Sequence, residues 1–136
     1  MPAEIKSQDG STLVAYVGRI DELVRDGWAF TPYPTEPLQW GVGKFTSGQK
    51  MARHRHLERD RIPKHITQEF FYVAVGSAEF YLYEGENRLA TIKALVGTYV
   101  CIYSGGHEVT ITSPCTIILE IKNGPFTSTE EDKEKY

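Results

Sequence analysis

Glu69-Phe70-Phe71-Tyr72-Val73-Ala74-Val75-Gly76-Ser77-Ala78-Glu79-Phe80-Tyr81-Leu82-Tyr83 is the stretch whose reading decides the fold. Side chains of a strand alternate between its two faces. With Gly76-Ser77 as a two-residue turn, one face reads Glu69, Phe71, Val73, Val75, Ala78, Phe80 and Leu82, apolar except at its first position. The other face reads Phe70, Tyr72, Ala74, Glu79, Tyr81 and Tyr83. This pattern predicts a hairpin of strands 69–75 and 78–83 with one face buried. The same period of two recurs at residues 12–17, 39–45, 50–56, 89–94, 98–103, 108–112 and 116–122. Glycine, serine, asparagine and proline punctuate nearly all the joins, at Ser47-Gly48, Gly97, Gly105-Gly106 and Ser113-Pro114 among others. Short strands broken by turns every 8–12 residues or so predict an all-β sandwich or jelly-roll barrel. Residues 23–25 suggest a helical turn, and Pro32, Pro34 and Pro37 mark a loop.

The chain has 136 residues, the size of one domain, and its 40% hydrophobic and 24% charged residues sit near globular averages. No apolar run approaches the roughly 20 residues of a membrane helix, and residues 1–10 lack a signal peptide's apolar stretch, so a cytoplasmic protein is expected. The net charge is −3, of which the polar segment 127–136 carries −2; it reads as a disordered acidic tail on a domain spanning 1–126. The near-neutral body disfavours nucleic-acid binding. Cys101 and Cys115 stand too close in sequence for the usual bridge of an immunoglobulin-like sandwich, the alternative fold, and reduced thiols are expected.

Of four histidines, His54, His56 and His65 fall within twelve residues. On a strand His54 and His56 share one face, and two imidazoles on one face chelate a transition metal. Glu69 opens inward at the end of its apolar row, where a lone carboxylate is costly unless a cation or donors meet it. His107 shares a face with Val109 and Ile111, and so also begins an inward row.

Gly48-x5-His54-x-His56 … Glu69-x6-Gly76 resembles the first motif of the cupins, and Gly97 … Gly105-Gly106-His107 resembles the second. The resemblance covers about residues 38–126 and implies a double-stranded β-helix, the cupin jelly roll, preceded here by an N-terminal extension of extra strand and loop. It further implies one divalent transition metal (iron, manganese, nickel, zinc, copper or cobalt) held by His54, His56, Glu69 and His107. Twelve residues separate His56 from Glu69 where the family has three or four, which leaves Gln68 and Glu58 as alternatives to Glu69.

Residues 50–64 carry six cations against two anions, so Arg59 and Arg61 are candidates to bind an anionic small-molecule substrate, with His65 beside them. Tyr99 and Tyr103, on a strand leading toward His107, are candidate catalytic groups. Tyr72, Tyr81 and Tyr83 read as an outward patch suited to a homodimer interface. The leading expectation is a metal-dependent enzyme, a dioxygenase or an isomerase or lyase, acting on a small polar or sugar-derived substrate. The alternatives are a metal-free sugar-nucleotide ketoisomerase or epimerase using a histidine pair, and a non-catalytic binding module.

Overall fold

The computed structural model describes residues 2–58, 60, 65–124 and 128–136. Among these are ten strands: β1 (Ala3–Lys6), β2 (Leu13–Arg19), β3 (Gly27–Phe30), β4 (Gly41–Lys44), β5 (Glu69–Val75), β6 (Ser77–Glu84), β7 (Asn87–Leu95), β8 (Thr98–Ile102), β9 (Gly106–Ile111) and β10 (Ile117–Lys122). Two single helical turns, α1 (Ile20–Leu23) and α2 (Thr129–Asp132), complete the elements. No described helix is long and apolar enough to cross a membrane.

The protein is all-β. One antiparallel sheet has the order β1-β2-β8-β5-β10, a second has β7-β6-β9, and β3–β4 form a separate ribbon. The two larger sheets bury a common core without closing into a barrel among the described residues. Ala15, Phe71, Val73, Val100 and Ile102 of the first meet Ala78, Phe80, Leu82 and Ala94 of the second. The inward row read from the sequence is therefore buried as expected from Phe71 to Leu82, save that Val75 ends exposed.

The connection between β5 and β6 differs from expectation. Gly76-Ser77 does not close a hairpin: β5 pairs with β8 and β10, whereas β6 pairs with β7 and β9. The chain instead passes from one sheet to the other at Gly76, which takes a φ of +81°. A Cβ there would run into Thr116, so glycine suits both the backbone and the space. The real hairpin is the next one, β6–β7, closed over Gly85-Glu86 with Glu84 opposite Asn87.

Three further readings of the sequence shift. The N-terminal strand β1 and the strand β3 were not anticipated. Residues 50–56, expected as a strand, carry no regular structure and are exposed. As a strand it would set Lys50, Ala52, His54 and His56 on one face and Met51, Arg53 and Arg55 on the other, and neither is apolar enough to pack. The segment 127–136, expected to be disordered, contains α2 among its described residues.

The first sheet is covered on its outer face too. Phe70, Tyr99, Cys101 and Tyr103 point away from the second sheet and pack with Leu38 under Tyr16, Tyr33 and Trp40. All five residues of β8 are buried. A strand buried on both faces reads as a continuous apolar run, and the Tyr-Val-Cys-Ile of β8 is one.

Candidate functional site

Glu69 is the first residue of β5, opposite Ile102 of β8 on one side and Lys122 of β10 on the other. The alternation that buries Phe71 and Val73 turns Glu69 to the same side, and its side chain is only 7% exposed. His107 lies on β9 in the second sheet, opposite Leu82 of β6, and its ring packs on Phe71 at 5.8 Å. The pair spans the gap between the sheets, with His107 Nε2 2.8 Å from Glu69 Oε2. The distance is that of an ion pair, yet the atoms do not align as a hydrogen bond, and Oε2 completes none. A buried carboxylate oxygen is thus left with a neighbouring nitrogen and no aligned donor, a position suited to a cation.

A second carboxylate joins them. Glu120 of β10 stands opposite Phe71 on the inward parity of its strand and reaches the Glu69 carboxyl. Burial, then the hydrogen bond shared with Glu69 and the charge of that carboxyl, push the Glu120 carboxyl above its ordinary value, against the opposing pull of Lys122, whose ammonium lies 4.0 Å from it. Burial acts the same way on Glu69, but the His107 contact outweighs it and holds that carboxyl below the usual range. The two acids are therefore driven apart in proton affinity, as neighbouring carboxylates at a reactive centre are.

No family model matches this chain, and no curated protein or solved structure does. The site is read from its own groups.

The structure brings together Glu69 and His107 but not all the residues singled out with them. His54 and His56 lie on the exposed segment before residue 58, with their rings edge to face at 5.2 Å and His54 Nδ1 3.0 Å from the Ala52 carbonyl oxygen. Among the described residues no three His, Cys, Asp or Glu side chains are gathered around one point that would hold a metal. His65 and Glu58 are exposed, while Arg59 and Arg61 fall outside the described residues. Gln68 is buried but committed elsewhere. Its Oε1 accepts from Leu38 N and its Nε2 donates to Glu36 Oε2, each at 2.8 Å. Between the adjacent candidates, alternation places Glu69 at the His107 end and Gln68 on the other face.

Tyr99 and Tyr103, the candidate catalytic groups, do not face the second sheet, where Glu69 meets His107. Val100 and Ile102 face the second sheet, so the odd-numbered residues of β8 face away from it. Trp40 Nε1 donates to the Tyr103 hydroxyl at 3.1 Å, and Thr31 Oγ1 lies 3.2 Å from it. Burial pushes both phenols well above their ordinary values, which leaves neither suited to proton transfer near neutral pH. The tyrosine patch also divides. Because β5 and β6 belong to different sheets, Tyr72 lies on one outer face and Tyr81 and Tyr83 on the other. Arg88 stacks over Tyr81 at 4.4 Å there, and the Tyr81 hydroxyl donates to Glu79. Cys101 is buried and Cys115 exposed, both as free thiols.

Two shallow cavities lie elsewhere. One of about 170 Å3 is lined by Asp26, Lys44, Phe45 and Gln49, and one of about 230 Å3 by Thr12, Tyr83, Glu84 and Ser104. Neither of these two is lined by Glu69 or His107. Glu120 was missed in the sequence. Its signal was there, as the lone acid interrupting the apolar run Ile117-Ile118-Leu119 … Ile121.

Proposed function

We propose that this chain is a metal-binding double-stranded β-helix of the cupin kind, with His54, His56, Glu69 and His107 as the ligands of one divalent transition metal. The observation that carries the reading is the Glu69–His107 pair bridging the two sheets, with Oε2 buried and lacking an aligned donor. A carboxylate and imidazoles form a donor set that first-row divalent metals accept. The strand order supports the finer fold. From β5 to β10 the chain crosses between the sheets four times, with only β6–β7 remaining in one, and β9 and β10 are left as sheet edges to which further strands would add. The reading requires residues 50–56 to run beside the free edge of β9.

On this reading the protein is an enzyme acting on a small polar, anionic or sugar-derived substrate, either an isomerase or lyase or a dioxygenase. The metal supplies Lewis acidity or oxygen activation when bound. Glu69 fixes the orientation of the His107 ring, Phe71 backs that ring, and Glu120 adds a second carboxyl beside the pair. The cations of residues 50–64 draw in an anionic substrate. The direct Glu69–His107 contact favours a second reading, a metal-free acid–base enzyme in which the carboxylate orients the imidazole.

Elemental analysis of untagged protein after loading with iron, manganese, nickel, cobalt and zinc decides between them. About one metal per chain, lost in the His54→Ala/His56→Ala variant and in Glu69→Gln, is the expected result. No uptake by the wild-type chain, or full uptake by the double variant, refutes the ligand set.

A further inference from the structure

The C-terminal segment 128–136 returns to the end of the sandwich where Glu69 and His107 meet. Thr67 Oγ1 donates to Asp132 Oδ1, a contact that ties the segment to the chain two residues ahead of Glu69. The Tyr136 hydroxyl lies against Gly106, the residue before His107, so closely that a Cβ at Gly106 would overlap it. One anchor therefore precedes the strand that supplies Glu69, and the other lies on the strand that supplies His107, in the opposite sheet. The turn is held from within, with Ser128 Oγ accepting from Glu131 N and Ser128 O from Asp132 N. Tyr136 stays 75% exposed, so the attachment is shallow and reversible.

We propose that residues 128–136 form a strap across the Glu69–His107 site. Closed, it ties the chain ahead of Glu69 to the strand that carries His107; lifted, it frees that end of the sandwich for a divalent cation or a substrate. Strap and ligand compete for the same end of the sandwich, so each weakens the other's hold. A site open one-tenth of the time binds about tenfold more weakly than the same site held open.

Two measurements test this on the 136-residue chain, and only the second rests on the metal reading above. The first is diethyl pyrocarbonate labelling, with each histidine followed by mass spectrometry. In the Asp132→Ala/Tyr136→Ala variant, and in a chain ending at residue 127, His107, whose side chain is already 31% exposed with the strap in place, should react measurably faster. His54, His56 and His65, all exposed, should react at unchanged rates and so report an intact surface. Unchanged His107 reactivity in both variants overturns the strap. The second is Co2+ titration, in which both variants should bind about tenfold more tightly than the wild type. Faster His107 labelling with no Co2+ bound by any chain keeps the strap and removes the metal reading.

Discussion

Replacing Tyr99 by Phe should stabilise this protein. The Tyr99 side chain is fully buried, stacked on Phe70 with the rings 5.7 Å apart and 3° from parallel, and set 5.5 Å from Trp40. Its hydroxyl completes no hydrogen bond, although burial first and Tyr16 second push its proton affinity upward. The oxygen is wedged over Gly18, where even a Cβ would sit 2.8 Å away. In the unfolded chain that hydroxyl is hydrated, so folding strips it of water and returns nothing. An unpaired buried hydroxyl costs about 1–3 kcal/mol, whereas the Phe ring keeps every apolar contact. We expect a net gain of about 1.5 kcal/mol, after allowing for the small void left by the oxygen. Unfolding a chain of 136 residues releases about 0.3 kcal/mol/K of entropy, so Tm should rise by about 5 °C. Thermal unfolding followed by circular dichroism, with the urea midpoint as a second reading, measures this. A Tm lowered by more than about 2 °C would refute the reasoning, because it would mean that Tyr16 or a water completes a real bond to the hydroxyl. Metal uptake should be unchanged in Tyr99→Phe, since Tyr99 lies on the far face of its sheet from Glu69.

The core between the sheets should be the least forgiving place. Phe80 is wholly buried against Phe71, with ring centroids 5.3 Å apart, and Phe80→Ala should lower stability by about 3–5 kcal/mol in urea titration; under about 1 kcal/mol would show the sheets are not packed there. Acid behaviour should separate Glu69 from Glu120. Glu69, held below its ordinary value, stabilises the fold above the unfolded carboxyl pKa of about 4.3, and that contribution is lost as pH falls through its folded value. Glu120 is raised, so its contribution is greatest below that unfolded value and shrinks as pH climbs through its folded one. Glu120→Gln should accordingly raise the urea midpoint at pH 7 and leave a midpoint that declines with acidification. A lower midpoint at pH 7 would show that the Lys122 ammonium, 4.0 Å from Glu120, outweighs the repulsion from Glu69.

The amino-acid sequence by itself determined which residues face inward along each strand, because alternation is a property of one extended segment. Glu69, Phe71 and Val73 on β5, and His107 and Val109 on β9, took their sides from that rule, and the bridging pair followed. Only the tertiary structure decided which sheet each strand joined. Gly76-Ser77 has the same local chemistry whether it closes a hairpin or turns a strand from one sheet to another. The choice was made by β8 and β10, distant in sequence, whose pairing with β5 leaves β6 to the other sheet. The side taken by Tyr99 and Tyr103 was hidden for a related reason. A strand apolar on both faces carries no mark of which face meets the second sheet. The tail shows the limit from the other direction. Residues 128–136 have no periodicity to read, and their place beside Glu69 and His107 depends on a hydroxyl at Thr67 and a missing side chain at Gly106, single contacts that exist only once the two sheets have been brought together.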